Sequence, residues 1–215
     1  MKRVIIVGST KPGYSEAITR RMISEGVFVI GTYEAEYADN AAMLSKEFPA
    51  SKLTLTELDL SSKEGMKKFV ESIDTNIDGL VFAQVFFAME DPENFNHEIW
   101  DKILAINLTA PNFLIHEFKS KMNTGSSNII LTSTEAYRGS YGASGYAASK
   151  AAVHNLVKSL ANTLGKRKIR INALPAGWIG GEMDTDEIFN KSRELTPLGI
   201  LGKAEEVASV AYFLF

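Results

Sequence analysis

The sequence predicts an α/β protein: a doubly wound parallel sheet with helices on both faces, a three-layer αβα sandwich. Three observations predict it. Short β-branched runs alternate with longer amphipathic stretches along the whole chain. Val4-Ile5-Ile6-Val7 is apolar without a break, as in a strand buried on both faces. No linker, repeat or low-complexity stretch divides the 215 residues, so 1–215 read as one domain.

The elements follow in order. Residues 4–7 form a strand and 14–25 a helix, with Ala17, Ile18, Met22 and Ile23 on one stripe and Gly26 ending it. A strand at 27–32 and a helix at 36–48 come next. Residues 53–58 alternate apolar and polar, and Ser62 is the expected N-cap of a helix over 62–74. The second half gives strands at 79–83, 128–132 and 169–174. A helix spans 96–121 with a break near Pro111, and another spans 144–165. Residues 176–200 read as a loop with short helical pieces, and a last helix starts near Lys203.

Composition narrows the function classes. The 23 Lys+Arg against 26 Asp+Glu leave a net charge of −3, with no basic face for nucleic acid. The absence of cysteine excludes disulfides and Cys-ligated zinc or iron–sulfur sites. The most apolar run, 79–89, is shorter than the ~20 residues that span a bilayer. Met1-Lys2-Arg3-Val4 leads straight into a strand and leaves no room for a signal peptide. A soluble, cytoplasmic protein without membrane or nucleic-acid partners is expected. His97, His116 and His154 lie at no metal-ligand spacing and read as surface or helix-packing residues. Lys166-Arg167-Lys168 reads as a solvated loop near a helix C-terminus.

Gly8-Ser9-Thr10-Lys11-Pro12-Gly13-Tyr14-Ser15 joins the first strand to the first helix. In a doubly wound sheet a dinucleotide pyrophosphate sits here, where glycines admit the backbone and the helix start offers N–H groups. Gly8, Ser9, Lys11, Gly13 and Tyr14 are therefore candidate binding residues. The spacing is not G-x-G-x-x-G, and an ordinary strand-to-helix turn also suits it. The second strand ends at Thr32, a neutral candidate beside the adenosine ribose. Glu34 reads as a solvated surface charge.

Tyr146-Ala147-Ala148-Ser149-Lys150 puts a phenol and an ammonium on one helix face at i and i+4. The cation favours the phenolate, which suits exchange of a proton with a substrate oxygen. Ser133 lies at the C-terminal end of the fifth strand, where such sheets place ligand-binding residues.

The run Asn128 to Ser133, thirteen positions to Tyr146 and four more to Lys150 closely resemble the short-chain dehydrogenase/reductase family. The resemblance covers nearly the whole chain and is nearest the branch of 3-oxoacyl-carrier-protein reductases and sugar or alcohol dehydrogenases. It implies a Rossmann-like sheet of order 3-2-1-4-5-6 and NAD(P)(H)-dependent hydride transfer to or from a small carbonyl or alcohol. It implies Tyr146 as general acid/base, Lys150 as the group that lowers its pKa and holds the nicotinamide ribose, and Ser133 orienting the substrate oxygen. Asn107 would support a water relay to Lys150. Asp59 and Leu60 would meet the adenine, Ala83 and Gln84 the ribose side, and Gly177 and Ile179 the nicotinamide.

Several positions depart from the family pattern. The glycine loop is one residue longer, and Ser15, in place of the third glycine, would narrow the pyrophosphate space. Phe82-Ala83-Gln84-Val85 replaces Asn-Asn-Ala-Gly, Ala176-Gly177 replaces Pro-Gly, and Gly181 replaces a threonine. These leave an alternative: a divergent member that binds a nucleotide or protein partner without turnover. Tyr137, Tyr141, Trp178 and Met183 suit an apolar pocket wall, and substrate contacts are expected from 178–202. The apolar residues of 96–121 and 144–165 exceed one stripe, which points to a second buried face and a homodimer or homotetramer. A seventh strand, which the family adds after the last helix, is missing here, and a truncated chain is the expectation.

Overall fold

A computed structural model describes residues 1–91, 93–180 and 186–215. Six parallel strands form one sheet: β1 (Arg3–Val7), β2 (Phe28–Tyr33), β3 (Leu53–Glu57), β4 (Ile77–Phe82), β5 (Met122–Ser133) and β6 (Arg170–Ala176). Their order is β3-β2-β1-β4-β5-β6, as expected. The order reverses between β1 and β4, which opens a crevice at the C-terminal ends of these strands.

The two faces follow from a period of two. Ile5 and Val7 enter one core with Phe69, Phe118, Val153 and Leu160. Val4 and Ile6 enter the other with Ile18, Met22, Leu44 and Ala211. The first core packs α3 (Lys63–Ser72), α5 (Ala110–Phe118) and α7 (Ser144–Leu164) on the sheet. The second packs α1 (Tyr14–Ser24), α2 (Ala38–Glu47) and α9 (Ala204–Leu214). α4 (His97–Leu104) and α6 (Glu135–Arg138) pack against α7, and α8 (Asp186–Glu194) precedes α9 in the chain. Ser62 caps α3 by accepting the Gly65 N–H at 3.0 Å, a contact worth about 1 kcal/mol.

Three differences from the sequence reading have physical causes. The break near Pro111 is a π turn at Ala105–Thr109 between α4 and α5. Pro111 has no N–H to offer the Asn107 carbonyl, its α-helical acceptor. β5 begins at Met122, six residues early. Its first turn of sequence is polar, and Asn123 Nδ2 to Asp78 Oδ1 (3.0 Å) and Ser126 Oγ to the Ile77 carbonyl (3.2 Å) hold it to β4. The supposed second apolar face is largely interior: Ile115, Phe118, Val153, Val157, Leu160 and Leu164 are buried in the chain's own core, with Phe113 and Leu156 packed against it, and Ile103 is fully buried.

Phe215 ends α9 and is 9% exposed. The Leu214 carbonyl accepts from Ser127 Oγ and Arg170 Nη1, both at 2.7 Å. Among the described residues no strand pairs with the free edge of β6. No helix among them is long and apolar enough to cross a membrane.

Candidate active site

The glycine loop is built as a short platform over the crevice. Gly8 and Gly13 hold φ of +78° and +96°, a region that glycine alone enters at no cost. Gly8 N–H donates to Thr32 Oγ1 (3.2 Å), and Ser9 donates through N–H and Oγ to the Thr32 carbonyl (2.8 and 3.0 Å). Thr32 thus fastens the loop to β2. α1 starts at Gly13 with no side-chain cap, and the hydroxyl of Thr10 is buried without a partner. Tyr14 is buried in the α1 core. Ser15 does not narrow the crevice as its sequence position suggests: its hydroxyl donates to the Ala83 carbonyl (3.2 Å) and packs α1 onto β4.

The end of β4 closes the other wall. Ala83 and Gln84 both donate N–H to the Val7 carbonyl, at 3.0 and 2.9 Å. Gln84 crosses directly over Gly8, where a Cβ would run into its side chain. Gln84 Nε2 then donates to Glu34 Oε2 at 2.6 Å. This corrects the reading of Glu34 as a solvated charge. It is half-buried, and burial raises its carboxyl pKa above the ordinary range, with Glu36 adding to the shift and Gln84, Lys102 and Lys11 opposing it. Asp59 is exposed, and its Oδ1 accepts from the N–H and hydroxyl of Ser61 (2.8 and 2.6 Å), while Leu60 is core.

Beyond β6, Gly177 is exposed next to Thr134, and Ile179 pairs with Gly202 as an isolated parallel bridge. The indole N–H of Trp178 is buried without a partner. Gly181 and Met183 lie outside the described residues.

The third wall carries the reactive groups. Ser133 ends β5, and its hydroxyl oxygen accepts the Glu135 N–H at 3.1 Å. Lys150 is 1% exposed and donates to the Leu131 carbonyl (3.1 Å), two residues before Ser133. Burial pushes its ammonium down to about 7. Its Nζ lies 5.5 Å from the ring centroid of Tyr146, one turn earlier on α7. One turn later, His154 Nε2 meets Thr132 Oγ1 at 2.9 Å, a second tie between α7 and β5. His154 is therefore the helix-packing residue its spacing suggests.

Asn107 is buried in the π turn. Its amide accepts the Phe86 N–H and donates to the Phe86 carbonyl, both at 2.9 Å, and donates to Ser149 Oγ at 3.1 Å. It thereby joins the segment after β4 to α7. The next residue, Phe87, sets its ring edge-on to Tyr146 at 5.1 Å.

One residue escapes sequence reasoning. The Glu90 carboxylate accepts the N–H of Ser144 (2.9 Å) and of Gly145 (2.6 Å), and the Ser144 hydroxyl (2.5 Å). It caps α7 from 54 residues away, where Ala143 gives no cap of its own. The only local signal is that missing cap between Gly142 and Gly145. Among the described residues no cluster of three metal-binding side chains occurs.

Residues 9–215 match the family described as enoyl-(acyl carrier protein) reductase. The chain belongs to the short-chain dehydrogenase/reductase family. It is 30% identical to the 3-oxoacyl-acyl-carrier-protein reductase FabG of Thermotoga maritima over 99% of this chain and 89% of that protein. A short-chain dehydrogenase/reductase from Serratia marcescens superposes with a TM-score of 0.91 at 31% identity, covering 99% of this chain and 90% of that one. BdcA, solved in complex with NADPH, superposes with a TM-score of 0.88 at 26% identity over 99% and 86%. Membership in the short-chain dehydrogenase/reductase family makes the chain an NAD(P)-dependent oxidoreductase by class.

Proposed function

We propose that this chain moves a hydride between an NAD(P) nicotinamide and the carbonyl or alcohol carbon of a small apolar molecule. The observation that carries the reading is the buried Lys150 ammonium beneath the Tyr146 ring, tied to β5 beside Ser133. The residues present suit the dinucleotide. Two positive-φ glycines, an uncapped α1 and the unpartnered Thr10 hydroxyl form a cradle for a pyrophosphate. Gly8, Ser9, Lys11 and Gly13 would line it, with Asp59 toward the adenine and Ala83 and Gln84 along the ribose, while Tyr14 and Leu60, whose side chains are core, would contribute backbone only. Thr32 would act through the loop it fastens. Gly177 and Ile179 would border the nicotinamide, whose ribose Tyr146 and Lys150 would hold.

When bound, the cofactor supplies or accepts the hydride. The chain handles the proton. In reduction Tyr146 gives its phenolic proton to the carbonyl oxygen, and Lys150 favours the phenolate left behind. In oxidation the same phenolate takes the alcohol proton. The Ser133 hydroxyl donates to the same oxygen and orients it. Phe87, Met89 and Tyr141, each more than half exposed near Tyr146 and the start of α7, favour an apolar substrate.

Fluorescence titration with NADH and NADPH, followed by turnover of a ketone panel, tests the reading. Tyr146→Phe is expected to lower kcat by about 10²-fold or more, with a far smaller loss of cofactor affinity from the one ribose contact it removes. Binding without turnover, unaffected by Tyr146→Phe, overturns catalysis and favours the nucleotide-binding alternative. No binding of either cofactor overturns both.

A further inference from the structure

The helix that carries Tyr146 and Lys150 begins without a cap of its own, and a carboxylate from another part of the chain closes it. Ala143 has no side-chain acceptor for the first N–H groups of α7. Glu90 supplies two oxygens. Oε2 takes the N–H and hydroxyl of Ser144, and Oε1 takes the N–H of Gly145. Its backbone N–H also donates to the Gly142 carbonyl at 2.6 Å. A negative charge at this end of the helix meets the positive end of its dipole.

Two glycines make the approach possible. Gly142 holds φ at +67°, and a Cβ there would fall 2.8 Å from Met89 Cε. A Cβ on Gly145 would fall 2.8 Å from Glu90 Oε1 and 3.1 Å from Trp100 Cε3. Real Cβ atoms do not sit that close to fixed neighbours, so a side chain at 145 would displace the carboxylate or the indole.

The segment from Phe86 to Glu90 is therefore held at both ends. Asn107 grips Phe86 through both its N–H and its carbonyl. Glu90 grips α7. Phe87 lies between these anchors, edge-on to Tyr146. Tyr146 is the third residue of α7, directly after the two whose N–H groups Glu90 accepts. Its backbone is set by that cap, its ring by Phe87 on one side, and Lys150 lies one turn on.

We propose that Glu90 is a positioning residue for the reaction: by clamping the first turn of α7 it fixes the Tyr146 phenol against Phe87 and Lys150. The inference rests on the hydride-transfer reading for its kinetic consequence, but not for its structural one. A displacement of about 1 Å at a reacting group costs on the order of 10²-fold in rate. Glu90 touches no reacting atom, so its loss acts through Tyr146.

Wild type, Glu90→Ala and Glu90→Gln are compared in two ways. In fluorotyrosine-labelled protein, the Tyr146 ¹⁹F resonance is assigned by its disappearance in Tyr146→Phe. Glu90→Ala is expected to shift and broaden this line. Glu90→Gln keeps one carbonyl acceptor for α7 and holds the line near its wild-type position. In kinetics on a responsive ketone, Glu90→Ala lowers kcat by about 10²-fold with a far smaller change in NADH Kd, and Glu90→Gln recovers most of the loss. A Tyr146 line unmoved by Glu90→Ala overturns the proposal, as does a wild-type kcat, or a fall in kcat matched by an equal loss of NADH binding. If Glu90→Ala fails to fold, Glu90→Asp takes its place, because its shorter side chain cannot reach the N–H groups of both Ser144 and Gly145: a shifted Tyr146 line with a lowered kcat supports the clamp, and an unmoved line with wild-type kcat overturns it. A wild-type chain inert toward every ketone would overturn hydride transfer, and the ¹⁹F line would still decide on Glu90.

Discussion

Glu34 sits half-buried against Gln84 Nε2, between the fields of Lys11 and Lys102, at the end of the strand that borders the adenosine side of such crevices. A carboxylate there accepts a hydrogen bond from a ribose 2′-hydroxyl and repels a 2′-phosphate. The expected outcome is tighter binding of NADH than NADPH. Glu34→Gln keeps the partner of Gln84 in shape while removing the charge, and should narrow the gap by about tenfold, the equivalent of ~1.4 kcal/mol. Acid should act in the same direction. Burial raises the Glu34 carboxyl above its ordinary value, so it takes up a proton at a milder pH than an exposed glutamate does. Titration of both cofactors at pH 7.5 and 5.5 checks this: NADPH affinity gains relative to NADH at the lower pH in wild type and not in Glu34→Gln. An equal or larger preference for NADPH at pH 7.5 would show that the carboxylate does not face the ribose.

At the scale of elements, the site depends on a local departure from α-helix. The π turn at Ala105–Thr109 carries Asn107 inward to Phe86 and Ser149. π segments occur mostly as single-turn bulges inside α-helices, frequently at functional sites, and Pro111 gives this one a cause. Pro111→Ala restores an N–H to the Asn107 carbonyl and lets the α ladder run through, which rotates Asn107 away from Phe86. The Phe86 amide then loses its acceptor. Its hydrogen exchange should quicken by about fivefold for a bond worth ~1 kcal/mol, while amides in the middle of β1 keep their rates. Unchanged exchange at Phe86 would mean that packing of Ile106, not Pro111, holds the turn. The sequence reading placed a break near Pro111 but not its form, because a missing donor is visible in a sequence and the choice between a kink and a π bulge is made by what the freed residues meet.

For the whole molecule, the parallel sheet was legible because strands buried on both faces must be apolar without interruption, and Val4 to Val7 and Leu80 to Phe82 are; its strand order came from the family resemblance. Tyr146 and Lys150 were legible as neighbours from their i, i+4 spacing, and Ser133 as the end of β5. Glu34 and Glu90 were not, since each finds its partner 50 or more residues away and a carboxylate in a loop looks solvated until the chain is folded. Lys150 was visible as a lysine, but its burial was not, and burial links the site to the stability of the fold. In the folded chain its pKa is pushed down to about 7, against about 10.4 when unfolded. Between these values the unfolded chain binds one more proton than the folded one, so unfolding free energy rises with pH through this window. The stabilisation is complete above the unfolded pKa and is lost as pH falls through 7. From pH 7 to 9 the gain is about 2 kcal/mol. Urea unfolding of wild type and Lys150→Met at both pH values isolates it, because titrations elsewhere cancel in the difference between the two proteins. Wild type should gain on Lys150→Met as pH rises. A constant difference would mean that Lys150 keeps its proton in the folded chain up to pH 9, with the Leu131 carbonyl and Tyr146 holding the charge.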